Sequence, residues 1–186
     1  NGKEIATRSI YRYNNYSFDL SATVTSGSNE LVIRFRNPDR YLRGPDKAYI
    51  VPVREYWGVP MGLFGHAWLV SRPEVFADQI LIDPSLEKKR LTLRASILNA
   101  GPHQARATVS ASVFDPEGRE VLKFREQNLE AGTDEPIDLE MVKRWRRPIL
   151  WSLESPRLLR LRLTVTANGQ TDVTDTRFGF REISIK

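Results

Sequence analysis

The sequence has no cysteine and only two histidines among its 186 residues. Without cysteine, neither a disulfide nor a thiolate metal site can form. A structural zinc site usually takes four Cys or His ligands, and His66 and His103 lie far apart in the chain. The sequence therefore predicts no bound metal, and no motif in it points to a cofactor.

Long hydrophobic runs are also absent. No apolar stretch approaches the roughly 18 residues that a membrane-spanning helix needs, and no signal-peptide pattern opens the chain. No membrane association is therefore expected. The compartment and the oligomeric state stay open, because cysteine-free proteins occur everywhere.

Charge is not in short supply, and it is slightly unbalanced. Lys and Arg number 28 and Asp and Glu 23, which gives a net charge of +5. Such a balance is compatible with nucleic-acid binding. However, arginines recur at alternate positions of strand-like runs, as at Arg160 and Arg162. This spacing is typical of the solvated face of a sheet.

One basic run, residues 143–147, encloses Trp145 and could offer a charged platform for base stacking. The alternative is a connection in which Trp145 covers an edge of the fold. We favour the alternative, because a single five-residue run makes no stripe long enough for a groove. No nucleic-acid partner is predicted.

The dominant pattern is an alternation of apolar and polar residues with a period of two, which predicts strands with one buried face. Turn signals such as Asn168-Gly169 separate the runs. About seven strands are predicted after residue 74, the number of an immunoglobulin-like sandwich. Residues 138–145 could form a short helical turn. The predicted strands are 75–82, 90–98, 104–114, 119–125, 135–140, 157–167 and 170–180.

The last two strands should form a hairpin whose register follows from its apolar residues. A two-residue Asn168-Gly169 loop would place Leu163 opposite Thr174. A three-residue loop that includes Ala167 would place Leu163 opposite Val173 and keep both on one buried face. The hydrophobic pattern therefore predicts the three-residue loop.

The first part of the chain is organised differently. Residues 17–20 and 30–35 resemble strands on either side of a Gly-Ser-Asn turn, and residues 67–70 resemble another. Between them, residues 39–62 form a long irregular stretch rich in Pro, Gly, Tyr and Arg. Long loops inside compact domains are usually functional or disordered, and the aromatic residues favour function. Arg72-Pro73 is predicted to link two domains.

Several motifs are distributed over essentially the whole chain. They are residues 1–5 (NGKEI), 16–20 (YSFDL), 27–33 (GSNELVI), 62–69 (GLFGHAWL), 149–159 (ILWSLESPRLL) and 178–183 (FGFREI). Together, and in this order, they resemble family 2 glycoside hydrolases, the β-galactosidases, β-glucuronidases and β-mannosidases. One departure is Gly65-His66, which stands where the family has an Arg-Asp pair.

The resemblance implies an all-β chain with two domains. Residues 1–72 would be the C-terminal part of a galactose-binding-like jelly roll that lacks its N-terminal strands. Residues 73–186 would be an immunoglobulin-like sandwich that leads into a (β/α)₈ barrel. The family is retaining, with two glutamates about 5–5.5 Å apart as nucleophile and acid/base. Both belong to the barrel, so no catalytic residue is assigned here and the chain alone should be inactive.

The resemblance also points to a binding site for carbohydrate in the irregular stretch. In related enzymes a loop of the first domain reaches the sugar pocket, and Glu55, Tyr56 and Trp57 lie at that position. A carboxylate accepts hydroxyl hydrogen bonds, and an aromatic ring stacks on apolar sugar faces. The alternative is a surface loop in which Trp57 packs against its own domain.

Five other residues are predicted to be structural. Trp68 and Trp151 lie in family motifs and should be core residues, as large aromatics in strands usually are. His66 shares a strand face with Trp68 and is interpreted as a structural residue. Asn29-Glu30 resembles the dipeptide that carries the family's acid/base, but it lies in a turn with nothing to raise the pKa of Glu30.

The leading hypothesis is thus a non-catalytic accessory region of a retaining β-glycoside hydrolase, whose partners would be the barrel and, through the whole enzyme, carbohydrate. A stand-alone carbohydrate-binding or adhesion module is the alternative, and a basic nucleic-acid-binding sandwich is a third. The 178–183 motif favours the first, because an independent module has no use for a strand that leads into a barrel.

Overall fold

The computed structural model describes residues 2–6, 16–34, 66–133 and 135–182. The chain divides into two units, Asn1–Leu69 and Val70–Lys186. This division falls three residues before the predicted linker. No helix among the described residues could cross a bilayer.

The second unit consists of antiparallel strands joined by turns, and the all-β prediction is confirmed for it. The strands β2, β3 and β7 coincide with the runs in which apolar and polar residues alternate. The strands are β1 (Val75–Ser85), β2 (Arg90–Asn99), β3 (Ala105–Phe114), β4 (Glu120–Lys123), β5 (Gln127–Ala131), β6 (Ile137–Arg144), β7 (Leu159–Ala167) and β8 (Gln170–Phe178).

The eight strands form two sheets. One has the order β1-β2-β6, and the other has the order β4-β3-β7-β8, with β5 also paired to β3. Because β4 pairs with residues 112–114 of β3 and β5 with residues 105–109, the two short strands occupy successive parts of one edge. The sandwich therefore has seven strand positions, as an immunoglobulin-like fold requires.

The core lies between the inner faces of the two sheets. Every second residue of β2, β3 and β7 is buried, whereas the intervening residues, except Thr92, are partly or fully exposed. Phe124, Trp145 and Phe180 close the margins of this layer from outside the strands. The inner residues of β7 are Leu159, Leu161, Leu163, Val165 and Ala167.

Two strand predictions were wrong in the middle of the sandwich. Residues 138–144 form no helical turn but belong to β6, because Ile137, Leu139 and Met141 alternate along one face. The sequence analysis also missed β5, whose run QNLEA contains only two apolar residues. β5 forms because its backbone pairs with β3 and because Leu129 packs against the core.

The predicted register of the last hairpin was also wrong. Thr164 pairs with Val173, so the loop is the two-residue Asn168-Gly169 turn. Both turn residues have positive φ, 50° and 74°, which is the type I′ geometry that suits twisted strands. Turn geometry therefore prevailed over the hydrophobic pattern, and Val173 points outward with 52% of its surface exposed.

In this register, a residue of β8 that points into the sandwich is acidic. Asp172 is buried, and its Oδ2 accepts a hydrogen bond from the backbone N–H of Ala77 at 3.1 Å. Ala77 belongs to β1, in the other sheet. The bond therefore joins the two terminal strands of the sandwich across its open edge.

The described residues of the first unit form no strand. Residues 17–20, 30–34 and 67–70 carry the predicted patterns, but the described part of the chain forms no β-ladder at these positions. A turn does form at the predicted place, where Asn29 Oδ1 accepts the Thr25 N–H at 2.9 Å. The assignment of residues 1–72 to a jelly roll stays a prediction.

Candidate functional site

The predicted sugar-contacting residues Glu55, Tyr56 and Trp57 lie outside the described residues. Their role stays a prediction. Glu30, the residue of the misleading Asn-Glu dipeptide, is exposed beside the turn that Asn29 holds together. This placement agrees with a structural interpretation of the pair.

The second unit has an open cavity of about 510 Å³, at the end of the sandwich where the chain leaves β8. We call it the end cavity. Five of its eight lining residues are apolar. The residues that line it are Leu86, Leu150, Trp151, Ser152, Leu153, Phe180, Arg181 and Glu182.

Hydrogen bonds to a backbone carbonyl and to a carboxylate bring three separate segments together around the end cavity. The Trp151 N–H donates to the Phe180 carbonyl oxygen at 3.1 Å, which fixes the connection before β7 against the segment after β8. The Leu86 and Glu87 N–H groups donate to Glu182 Oε2 at 2.7 and 3.1 Å. The β1–β2 turn is thereby held beside the same segment.

Trp151 forms the floor of this region and was predicted to be a core residue. It is only partly buried. The guanidinium carbon of Arg181 lies 4.9 Å from the centre of its ring, a cation–π distance. Gly179 lies so close that an added Cβ would stand 3.0 Å from Trp151 Cγ. The indole is therefore packed against residues 179–181 and not inside the sandwich.

The leucines of the end cavity face solvent. Leu153 is 81% exposed, Leu150 is half exposed and Leu86 is about one third exposed. Scattered exposed apolar residues are normal, but several that meet at one cavity indicate a surface that another surface covers. The end cavity therefore has the composition of a docking surface.

The chemistry that the end cavity can support is limited. Glu182 is the one carboxylate in its lining, and it already accepts two backbone N–H groups. Retaining glycoside hydrolysis needs two carboxylates close together. No group of three possible metal ligands occurs among the described residues. The lining therefore suits docking better than catalysis.

The outer face of the second sheet carries an ion cluster. Asp175 accepts hydrogen bonds at 2.8 Å from Arg162 Nε and from Arg160 Nη1. These bonds, led by that from Arg162, lower the pKa of Asp175 to about 2, although burial opposes the shift. Both guanidinium groups also lie over the ring of Phe114, at 4.8 and 5.8 Å. Asp175 is thus shared between two arginines, and the three residues together keep a net charge of +1.

Within the basic run 143–147, the position of Trp145 supports the structural interpretation. Trp145 is buried and its ring meets that of Phe180 edge-to-face, with the centres 5.5 Å apart. Its backbone N–H donates to the Lys89 carbonyl oxygen at 2.8 Å. It therefore covers an edge of the sandwich. The four cations around it remain exposed.

The other two aromatic predictions have mixed outcomes. His66 and Trp68 are in contact, with ring centres 5.5 Å apart, as their shared face predicted. Trp68 was wrongly predicted to be a core residue, because 79% of its surface is exposed. No described residue packs over its indole as Arg181 packs over that of Trp151.

The sequence analysis missed the end cavity. Leu150 and Leu153 follow neither the period of a strand nor that of a helix, so nothing marked them as surface residues. The one available signal was the neighbourhood of the 149–159 and 178–183 motifs, which the structure brings together through Trp151 and Phe180.

Comparison with known proteins agrees with this geometry. Residues 75–181, more than half of the chain, match the family model described as "Glycosyl hydrolases family 2". The matched region begins with β1 and ends in the segment that lines the end cavity.

Two curated relatives match almost the whole chain. A protein of Formosa agariphila that carries the name β-glucuronidase is 24% identical over 178 residues, which are 94% of this chain. β-Galactosidase BoGH2A of Bacteroides ovatus is 25% identical over 193 aligned positions. The chain spans about a fifth of the length of each.

Solved structures show the same fold. The β-glucuronidase of Bacteroides uniformis superposes with a TM-score of 0.53 at 19% identity, over 58% of this chain and 14% of that one. A family 2 member from Bacteroides cellulosilyticus superposes with a TM-score of 0.53 at 14% identity, over 60% of this chain and 16% of its own.

Proposed function

Because the chain belongs to family 2 of the glycosyl hydrolases, we propose that it is a non-catalytic accessory region of a retaining β-glycoside hydrolase. Its task is to support a catalytic (β/α)₈ barrel that lies outside residues 1–186. The observation that carries the proposal is the end cavity, which presents exposed leucines where the chain leaves the sandwich.

The rigidity of the end cavity suits a supporting role. Trp151 and Glu182 tie the connection before β7, the β1–β2 turn and the segment after β8 into one surface. A surface fixed in this way orders little on docking, so less conformational entropy opposes the association. The exposed leucines supply the apolar area, and Arg181 supplies a charged rim.

The substrate of the whole protein is proposed by analogy with the relatives. Their names refer to a β-glucuronidase and a β-galactosidase. We therefore propose a β-linked glycoside as the substrate class. The sugar itself would be selected by the barrel and by any loop that reaches it.

The loop containing Glu55, Tyr56 and Trp57 is proposed to be such a contribution. An acidic and aromatic cluster of this composition fits a sugar hydroxyl and an apolar sugar face. In the whole enzyme we expect Glu55→Ala to raise KM or lower kcat and to leave Tm nearly unchanged. Wild-type kinetics in this variant would remove Glu55 from the site.

The absence of catalysis in the isolated region is directly measurable. Purified residues 1–186 should release no nitrophenol from nitrophenyl β-glycosides, because the carboxylate pair belongs to the barrel. The whole protein serves as the positive control under the same conditions. Turnover by the purified region would refute the accessory role.

The supporting role is tested at the end cavity. In the whole protein, Leu153→Asp should place a charge in the docked surface and lower both Tm and activity. Leu81→Asp is the matched control, because Leu81 is also more than half exposed but lies on the outer face of the first sheet. Equal effects of the two variants would show that the end cavity is ordinary surface.

A further inference from the structure

The end of the sandwich that carries the end cavity also concentrates the positive charge of the chain. Beside the end cavity, residues 87–90 and 143–147 are joined by the hydrogen bond from the Trp145 backbone N–H to the Lys89 carbonyl oxygen. These two segments form the basic end, which holds seven cations and one carboxylate, a net charge of +6, and includes no residue that lines the end cavity. Since the whole chain has a net charge of +5, the remainder has a net charge of −1.

At the centre of this basic end, two arginines face each other without a counter-ion. Arg90 in β2 pairs directly with Arg144 in β6. Opposed like charges on neighbouring strands destabilise a sheet. Among the described residues, neither arginine forms an ion pair, and neither do the neighbouring cations Lys88, Lys89, Lys143, Arg146 and Arg147.

The same sheet shows how an arginine is neutralised elsewhere. Arg94 lies on the same face of β2 as Arg90, and opposite it stands Glu140, whose carboxylate is 2.7 Å from Arg94 Nε. In the second sheet Arg160 also stands opposite an arginine, Arg177, but Asp175 lies 2.8 Å from it. The Arg90–Arg144 pair has no such carboxylate.

Protection of a sheet edge does not account for the pair. A cation on an edge strand prevents pairing with another chain, and β6 is an edge strand. However, Arg90 lies in β2, the central strand of that sheet. A repulsive pair that spans a central and an edge strand is better explained by a ligand that neutralises both groups.

We propose that the basic end binds a polyanionic glycan, a polysaccharide whose sugars carry carboxylate or sulfate groups. The inference rests on the proposed function, which brings the protein into contact with polysaccharides. Guanidinium groups bind both anions in a planar, two-point geometry. A repeating anion can bridge Arg90 and Arg144 and extend over the neighbouring lysines.

The burial of Trp145 favours a glycan over a single-stranded nucleic acid. Binding of single strands without sequence preference depends on aromatic rings that stack with successive bases. Trp145 is the aromatic residue within the basic run, and it is buried against Phe180. The exposed part of the basic run offers cations alone, which suffice for a polymer that carries its charge on carboxylates or sulfates.

The test measures binding of purified residues 1–186, so it does not depend on catalysis by the whole enzyme. The probes are polygalacturonate, dextran sulfate, neutral dextran, poly-glutamate and a single-stranded oligonucleotide. We expect the two anionic glycans to be retained and neutral dextran not to be. Binding should weaken by about tenfold or more from low salt to about 0.5 M NaCl. Tighter binding of poly-glutamate or the oligonucleotide would overturn the assignment to a glycan.

One variant separates a ligand site from a structural role. Arg144→Glu places a carboxylate opposite Arg90, as Glu140 stands opposite Arg94. We expect glycan binding to fall about tenfold while Tm rises, because the repulsion becomes an attraction. A structural role for Arg144 would lower Tm instead.

The control variant removes the same positive charge at another place. Arg125→Glu makes the same two-unit charge reversal as Arg144→Glu, on an exposed residue of the connection between β4 and β5. Its affinity for polygalacturonate should stay within about twofold of the wild type. Equal losses in the two variants would reduce the interaction to overall charge, and no binding by the wild type would refute the proposal.

Discussion

Similar apolar runs are buried in one unit of this chain and exposed in the other. In β7, Leu159, Leu161, Leu163 and Val165 are completely buried, because β3 and β8 pair on either side and the other sheet covers their face. In the first unit, Leu31, Val32 and Ile33 are each more than half exposed. The difference shows that an alternating apolar pattern alone does not produce a buried strand. Neighbouring segments must also pair with the strand and cover its apolar face.

The largest expected difference is between two leucine truncations, one in each unit. Leu161→Ala removes a completely buried side chain and should lower the free energy of unfolding by about 3 kcal/mol. Leu31→Ala removes one that is 60% exposed and should cost less than about 0.5 kcal/mol. Urea denaturation of both variants gives the comparison. Equal losses would mean that Leu31 is buried by a partner segment.

A smaller effect is expected from the buried bond that closes the sandwich. Asp172→Ala leaves the Ala77 N–H without its acceptor and should cost about 2 kcal/mol. Asp138→Ala, on the exposed face of β6, is the control and should have little effect. Calorimetry of both variants measures the difference. A stable Asp172→Ala variant would show that solvent replaces the bond.

The type I′ turn predicts a smaller loss again. Gly169 has a φ of 74°, which a residue with a side chain adopts at a cost of about 1 kcal/mol, so Gly169→Ala should be destabilising to that extent. Gly132→Ala is the control, because an added Cβ there meets no atom within 4 Å and φ is not positive. A neutral Gly169→Ala variant, measured by thermal unfolding, would argue against the two-residue loop.

The smallest effect concerns the surface cluster of the second sheet. The pKa of Asp175 is lowered to about 2, so the carboxylate stabilises the fold above its unfolded pKa of about 4. This contribution is lost as the pH falls through about 2. Asp175→Asn should therefore lower Tm slightly at pH 7, and the difference from the wild type should shrink as the pH falls from about 4 to below 2. A Tm difference that does not depend on pH would exclude the ionised carboxylate as its source.

Strict alternation made most of the sandwich predictable. The run beginning at Arg90 was placed within one residue at either end, because Leu91, Leu93, Ala95 and Ile97 leave no choice of face. β5 was not predicted because its mostly polar residues give no alternating apolar pattern. It is a strand only because its backbone pairs with β3. The register of β7 and β8 was wrong because the turn decides it.

The candidate site was much less predictable, because it depends on how distant segments meet. The importance of Leu153 follows from its exposure beside Trp151, and that exposure depends on the path of the chain after β8. The opposed arginines 90 and 144 are more than fifty positions apart in the sequence, and the register of β2 and β6 alone brings them together. Neither local secondary-structure propensity nor the spacing of residues along the chain predicts such long-range contacts.

The two bonds between β1 and the last part of the chain have a mechanical consequence. Asp172 holds Ala77 near the start of β1, and Glu182 holds Leu86 just beyond its end. The first and last strands therefore run side by side in the same direction, and the chain enters the sandwich at one end and leaves at the other. About nine residues of strand separate the two points, a span of about 30 Å. The sandwich thus fixes the distance between its two ends. A force that pulls the ends apart would act along β1 and β8 and tend to slide them past each other.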